Sequence, residues 1–331
     1  MLVYILRRLA ISAAVLFTVT VITFVVFFLG PSDPAGAICG DNPMCTPERV
    51  EEIRQSLGLD VPATQQFTDF VGGIFTGRTI SQGEFVKECP APCLGWSYAQ
   101  DRPVRDMITE AFPVTASLVV GGMVVYVLAA LALGVLAAKF RGTWVDRVIV
   151  GFSQFVTSIP YYVCALVFFL YGMVYTGIVP RSGWTEPWSD PVRWFTGLLG
   201  VWVFYGIWAS AGYIRYVRAS MIDVQNSDYV RTARSKGLSE FIISAKHALR
   251  AAITPFVTLV GMSVAMELQG AIFTERIFGL PGMGLLAINS FEQDDLPVIA
   301  GTVIVGAVLV TIGNLVVDIL YSVLDPRVKL Q

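Results

Sequence analysis

The chain has 331 residues, 55% of them hydrophobic and 15% charged, with a mean hydropathy of +0.65 and a net charge of −2. A soluble domain is about 45–50% apolar and about 25% charged, so this composition argues against one. Ordinary glycine and proline contents exclude collagen-like and low-complexity chains. Several apolar runs reach about 20 residues, the helix length that crosses a ~30 Å hydrocarbon layer. The sequence therefore predicts a polytopic membrane protein.

Six apolar stretches are candidate membrane spans. They lie at about 9–30, 113–138, 148–173, 195–214, 255–274 and 298–317. The first follows Arg7 and Arg8. It is longer than the ~7–15-residue apolar region of a secretory signal peptide, so we expect an uncleaved span. The predicted fold class is an all-α polytopic membrane protein with six transmembrane helices.

Basic residues are concentrated in alternate connections between these spans. Fourteen of the 23, together with five acids, lie in 1–8, 139–147, 215–254 and 321–331. Nine basic residues and 18 acids lie in 31–112, 174–194 and 275–297. Because short cytoplasmic connections carry the excess of Lys and Arg, we expect both termini to be cytoplasmic.

The longest polar segment, 31–112, is expected to be extracytoplasmic. It divides the chain into an N-terminal tail with the first helix (1–30), this external segment, and a core of helices 2–6 (113–331). Thr46 as N-cap and Pro47 at the first helical position predict a short amphipathic helix there. The segment holds too few apolar residues for a core of its own, so we expect it to pack against the membrane helices.

Four of the five cysteines lie in the external segment, as Cys39, Cys45, Cys89 and Cys93. Their spacing and the lack of a nearby histidine argue against a zinc site, and no metal site is expected. An oxidising compartment favours two disulfides, with three connectivities open and the local pairs 39–45 and 89–93 favoured. Cys164, inside the third span, is interpreted as a small buried apolar residue.

Motifs of catalysis are missing from the sequence. It contains no phosphate-binding Gly-x-x-x-x-Gly-Lys-Ser/Thr loop, no His-Glu-x-x-His and no Gly-x-Ser-x-Gly. We therefore expect a chain that is not an enzyme. If it moves a solute uphill, the energy comes from a partner or from an ion gradient.

The cytoplasmic segment 215–254 carries the most informative pattern. Its residues 228–250 are consistent with two short amphipathic helices broken at Gly237, since glycine readily adopts the left-handed conformation that ends a helix. Ser239 is positioned to cap the second helix, which presents Phe241 on its apolar side. Such a loop can bind anionic lipid headgroups or dock into another protein.

The stretch Asp228-Tyr-Val-Arg-Thr-Ala-Arg-Ser-Lys-Gly-Leu238 resembles the coupling loop of ABC importer membrane subunits, in particular the dipeptide/oligopeptide/nickel permease family. Other segments, before and after this stretch, resemble the family in the same order along nearly the whole chain. They are Tyr4-x-x-Arg7-Arg8, Gly30-Pro31-x-Asp33-Pro34, Leu57-Gly58-Leu59-Asp60-x-Pro62, Pro281-Gly282-x-Gly284, Asn314 to Asp318, and Asp325-Pro326-Arg327. Arg231-Thr232-Ala233 replaces the Glu-Ala-Ala of the general importer loop, and Leu249-Arg250 replaces its final Leu-Pro. A typical member of the family lacks the insert found here near 79–96.

The resemblance implies a peptide importer subunit of the type I kind in a bacterial inner or plasma membrane. It implies a second permease subunit, two ATP-binding subunits or one fused ATPase, and an extracytoplasmic substrate-binding protein, with surrounding membrane lipid and no nucleic acid. ATP and magnesium would be held by the partners, and this chain would carry no cofactor. The residues matched to ATPase coupling are Asp228, Tyr229, Thr232, Ala233, Lys236, Gly237, Leu238, Ser239 and Phe241. Nickel or glycosides remain alternative substrates.

Glu267 stands in the middle of the fifth predicted span. Ionisable residues inside a membrane suggest a pathway or a relay, so Glu267 is a candidate for the translocation path. The same residue supports a rival interpretation, a proton-coupled secondary transporter. The lack of an internal repeat and the small number of spans disfavour that alternative.

Overall fold

The computed structural model describes residues 2–28, 35–36, 46–56, 61–82, 85–97, 99–267 and 271–324. Its helices are α1 (Leu2–Phe28), α2 (Pro47–Ser56), α3 (Ala63–Thr76), α4 (Val104–Lys139), α5 (Trp144–Ser158), α6 (Tyr161–Val167), α7 (Pro191–Gln225), α8 (Asp228–Ser235), α9 (Glu240–Ile242), α10 (Leu249–Glu267), α11 (Ile272–Phe278), α12 (Met283–Glu292) and α13 (Leu296–Leu324). One π-helical segment, Phe168–Tyr175, follows α6, and a second, Ile243–Ala248, joins α9 to α10. Two antiparallel pairs of strands are β1 (Arg78–Gln82) with β2 (Phe85–Cys89) and β3 (Trp96–Ser97) with β4 (Arg102–Pro103).

The chain divides into two compact units. One comprises residues 1–115 and 281–311, and the other comprises residues 116–280 and 312–331. The external segment belongs to the first unit, and the loop 215–254 belongs to the second.

Aromatic and aliphatic side chains from several helices form the core of the first unit. Phe24 of α1 meets Phe67 of α3 edge to face, with ring centroids 5.3 Å apart, and Phe70 packs beside them. Val104 of α4 and Val298 of α13 are fully buried in the same core. Apolar residues of α3, within segment 31–112, therefore pack against α1, as expected from the sequence for this segment and the long helices.

The insert near 79–96 contains the β1–β2 hairpin, followed by a short loop that is closed by a disulfide. Cys89, at the end of β2, is bonded to Cys93, which confirms that predicted pair. The other predicted pair, Cys39 with Cys45, lies outside the described residues. After the hairpin, Ser97 Oγ donates a hydrogen bond of 2.5 Å to Oδ2 of buried Asp295, just ahead of α13. The predicted amphipathic helix is also present as α2, beginning at Pro47.

Glycines let α7 approach α4 closely in the second unit. A Cβ added at Gly121 would lie 2.2 Å from the Trp202 ring, and one added at Gly134 would lie 2.7 Å from Val217. Small residues at helix contacts are typical of membrane bundles, where close backbone approach supplies the packing energy.

A buried ion pair links α5 to α7. Arg218 donates from Nε and Nη2 to the two carboxylate oxygens of Asp146, at 2.6 and 2.7 Å. Asp146 is 5% exposed and also accepts a hydrogen bond of 2.9 Å from the Gly142 backbone. The carboxylate thus has hydrogen-bond partners on both of its oxygens.

Among the residues that the structure describes, four helices are long and apolar enough to cross a membrane: Leu6–Phe27, Val104–Lys139, Pro191–Gln225 and Leu296–Val316. They correspond to the first, second, fourth and sixth predicted spans. The fifth predicted span, 255–274, covers most of α10, residues 268–270 outside the description, and the start of α11. The chain is a multi-pass, largely helical membrane protein.

The prediction of one continuous third span, 148–173, is wrong. The segment consists of α5 and a second helix, Tyr161–Tyr175, bent by 98° relative to each other. Pro160 explains the break, because proline lacks the amide hydrogen that a helix needs and disfavours helical backbone in the preceding residue. Accordingly, Ile159 is extended, with φ −101° and ψ 134°.

Candidate functional site

The cytoplasmic-loop candidate begins with α8, a two-turn helix. Asp228 stands in its first turn and Arg234 in its last, where each charge is favourable to the helix dipole. Val230 and Ala233, three residues apart on one face, are buried with Ile243 and pack against Val224 of α7. This apolar cluster fixes the loop to the end of α7.

Gly237 ends α8 in a left-handed turn with φ +74°. The Gly237 amide donates to the Arg234 carbonyl at 2.9 Å, and the Leu238 amide donates to the Ala233 carbonyl at 3.4 Å. These two bonds, three and five residues back, define a Schellman motif, in which the left-handed residue is usually glycine. The predicted break at Gly237 is confirmed.

The chain becomes helical again directly after this turn. The Ser239 side chain accepts a hydrogen bond of 3.5 Å from the Ile242 amide, so Ser239 is the N-cap, as the sequence predicts. From Glu240 the backbone stays helical through the π-helical segment and α10 to Glu267. The loop is therefore continuous with α10, which covers most of the fifth predicted span.

An ion pair crosses the break between α8 and α9. Arg234 donates from Nε and Nη2 to the Glu240 carboxylate, at 2.7 and 3.2 Å. The Arg234 guanidinium lowers the pKa of the Glu240 carboxyl, and the carboxylate in turn raises the pKa of Arg234. Both side chains face solvent, so the pair orients the two helices more than it stabilises the fold.

Three apolar side chains of the loop are exposed. Tyr229, Leu238 and Ile242 are 48%, 39% and 41% exposed. Isolated apolar residues are common on surfaces, but three on one short polar loop indicate a contact face.

The other matched residues divide between structural positions and the surface. Thr232 Oγ1 donates to the Asp228 carbonyl at 2.9 Å, while Lys236 is exposed at the end of α8. Ala233, only 8% exposed, lies on the inner face and positions the loop rather than contacting a partner. The Phe241 backbone belongs to α9, and its side chain lies outside the description.

Glu267, the candidate for the translocation path, lies among polar aromatic residues. Its carboxyl lies close to the Tyr205 hydroxyl of α7. Within the part of the chain described, its Oε2 atom and the Trp208 Nε1 atom are buried without a hydrogen-bond partner.

More hydroxyl contacts surround this cluster. The Tyr126 hydroxyl lies 3.2 Å from Ser263 Oγ, and the Tyr161 hydroxyl lies 2.7 Å from Thr274 Oγ1. The Tyr161 ring packs edge to face on Trp208 with centroids 4.9 Å apart. These aromatic partners are not predicted from the sequence. Tyr205 and Trp208, three residues apart inside an apolar span, were the available signal.

Among the described residues, no three His, Cys, Asp or Glu side chains are grouped so that they could hold a metal ion. The second unit presents two features of interest: a loop with exposed apolar side chains, and a cluster of Tyr and Trp side chains near the Glu267 carboxyl.

Comparison with known proteins identifies the class. Residues 130–330 match the family described as binding-protein-dependent transport system inner membrane component, and residues 1–119 match its N-terminal family. The chain belongs to this family. It is a permease component of an ABC transport system.

Relatives cover nearly the full length of the chain. A putative peptide transport system permease of Brucella abortus is 32% identical over 325 residues, 98% of each chain. The glutathione transport system permease GsiC of Escherichia coli is 33% identical over 329 residues, 99% of each chain. A probable peptide ABC transporter permease of Sinorhizobium fredii is 32% identical over 99% of each chain.

Proposed function

We propose that this permease is one membrane half of an ATP-driven importer for di- or oligopeptides in a bacterial inner or plasma membrane, with both termini cytoplasmic. The observation that carries the proposal is the loop that turns at Gly237, with its exposed apolar side chains, in a permease whose relatives are named for peptide or glutathione transport. Segment 215–254 also holds seven of the 23 basic residues, which supports a cytoplasmic position.

In this proposal the loop transmits force from a partner subunit to the helices of the permease. A flexible loop would absorb a push, whereas the Schellman motif and the Arg234–Glu240 ion pair hold its two helices at a fixed angle. On one side the loop is anchored to α7 through Val224. On the other side it continues as helix from Glu240 into α10. Displacement of the loop is thereby passed to two membrane helices.

The proposed assembly supplies what this chain lacks. A second permease subunit completes the path, and two ATP-binding subunits, or one fused ATPase, hold ATP and magnesium below the membrane. An extracytoplasmic binding protein delivers the peptide. Tyr229, Leu238 and Ile242, exposed here, would be covered by an ATP-binding subunit.

Site-specific crosslinking in the assembled transporter tests this contact. A photoactivatable residue at Leu238 should yield a product that contains an ATP-binding subunit. The same residue at Phe75, which is 77% exposed and expected on the opposite side, should yield none. Failure of Leu238, Tyr229 and Ile242 to crosslink with an ATP-binding subunit would refute the coupling role.

The rival function, proton-coupled transport through Glu267, is favoured by the unpartnered Oε2 atom of that carboxyl. Buried acids inside a membrane often serve proton relays. The rival predicts that uptake fails in Glu267→Gln and in the presence of an uncoupler. Our proposal gives Glu267 a place along the translocation path, so Glu267→Gln alters the uptake rate while the ATP requirement stays.

A further inference from the structure

A cavity of about 500 Å³ lies in the second unit between the segment that follows the π-helical Phe168–Tyr175 and the first turns of α7. Its walls include Arg181, Trp184, Thr185, Arg193 and Thr196. Segment 174–194 is expected on the extracytoplasmic side, where substrate arrives. The volume lies within the ~300–1,000 Å³ range of small-molecule sites.

The walls of this cavity are fixed by close contacts. The Gly183 amide donates to the Gly197 carbonyl at 3.3 Å, and a Cβ added at Gly197 would lie 2.5 Å from the Gly183 carbonyl oxygen. Ser182 Oγ donates to the Phe278 carbonyl of α11 at 2.7 Å. The segment is thus held against both α7 and α11, so the cavity exists before any ligand arrives.

The charge in the cavity is positive and unmatched. Within the described part of the chain, neither the Arg181 nor the Arg193 guanidinium forms an ion pair. The two neighbouring acids already accept other hydrogen bonds. Glu186 accepts from Trp188 Nε1 at 2.9 Å, and Asp190 accepts from the Arg193 backbone amide at 3.0 Å as the N-cap of α7.

We propose that this cavity binds the C-terminal carboxylate of a peptide as it enters the transporter, an inference that rests on the proposed peptide-import function. A guanidinium offers parallel donors that match the two oxygens of a carboxylate, so two of them select this group over a neutral one. Thr185 adds a hydroxyl donor, and the half-buried Trp184 supplies an apolar wall for the last side chain of the peptide.

The test compares trialanine with trialanine amide, which lacks the terminal charge, in the assembled transporter with saturating binding protein. Wild type should take up the acid about three- to tenfold faster than the amide, the size expected for two exposed charge contacts. In the double variant Arg181→Gln/Arg193→Gln the ratio should fall to about one. The matched double variant Arg181→Lys/Arg193→Lys keeps the charge and should keep most of the preference.

The contrary outcomes are distinct. A Gln double variant that keeps the wild-type ratio overturns the carboxylate site, and so does one in which the uptake rates of both peptides fall by the same factor. In either case peptide import itself stands. Wild-type protein that takes up neither peptide refutes the proposed function, and this inference falls with it.

Discussion

Substitutions at Gly237, in the proposed coupling loop, distinguish the effect of backbone conformation from the effect of side-chain size. Gly237 has φ +74°, and a Cβ added there has no atom within 4 Å. A substitution therefore meets no steric obstacle in this chain, and its cost comes from the left-handed backbone. For residues other than glycine that cost is about 1–2 kcal/mol, and it is lower for Asn, which adopts this conformation more readily.

A cost of 1–2 kcal/mol lowers the population of the intact turn relative to its alternatives by a factor of about 5–30. When the turn opens, the bond from the Leu238 amide to the Ala233 carbonyl is lost, and the Arg234–Glu240 pair loses its geometry. We therefore expect ATP hydrolysis to be uncoupled from uptake in Gly237→Val, while the membrane-embedded helices stay folded.

The assay is the number of peptides taken up per ATP hydrolysed by the reconstituted transporter. Coupling should decrease in the order Gly, Asn, Ala, Val at position 237. Gly151→Val is the matched control, because Gly151 also has open space around its Cβ position but lies in helical backbone. If Ala couples better than Asn, the effect follows side-chain size and the reasoning from backbone conformation is refuted.

Three further predictions concern stability. Arg218→Met leaves the buried Asp146 without its ion-pair partner and should lower the free energy of unfolding by about 2–4 kcal/mol, measured as faster thermal inactivation in detergent. Adding Asp146→Asn should restore much of the lost stability, and a double variant no more stable than Arg218→Met would contradict the pairing. Gly134→Leu should cost at least about 1–3 kcal/mol through overpacking between α4 and α7, and an unchanged melting temperature would contradict that contact. Because Arg234 lowers the pKa of Glu240, their ion pair contributes above the ordinary Glu pKa and is lost as the pH falls through the lowered pKa of Glu240. The protection of the amides of residues 236–239, measured relative to their intrinsic exchange rates, should then decrease, and Glu240→Gln should lack this pH dependence.

The long helices were predictable because membrane spans need continuous apolar runs. α1, α4, α7 and α13 all coincide with such runs, although α4 begins at Val104, nine residues before its predicted start. The break at Pro160 was not predicted, because a hydropathy average over about 20 residues changes little when one of them is proline. The β1–β2 hairpin was missed too, because short polar strands leave little periodic signal.

The loop was more predictable than the rest of the candidate site. Gly237 and Ser239 act through local backbone geometry, which depends on neighbours in sequence and can be recognised there. The partners of Glu267 come from α7, about 60 residues away in sequence, and no local pattern indicates them. The cavity with Arg181 and Arg193 likewise depends on how a loop folds back on a helix.

Accumulation of a peptide in proteoliposomes that hold the complete transporter tests the central claim most directly. ATP should drive accumulation above the external concentration, vanadate should abolish it, and an uncoupler should leave it intact. Accumulation that ignores vanadate and collapses with the uncoupler would contradict an ATP-driven importer and favour the proton-coupled alternative.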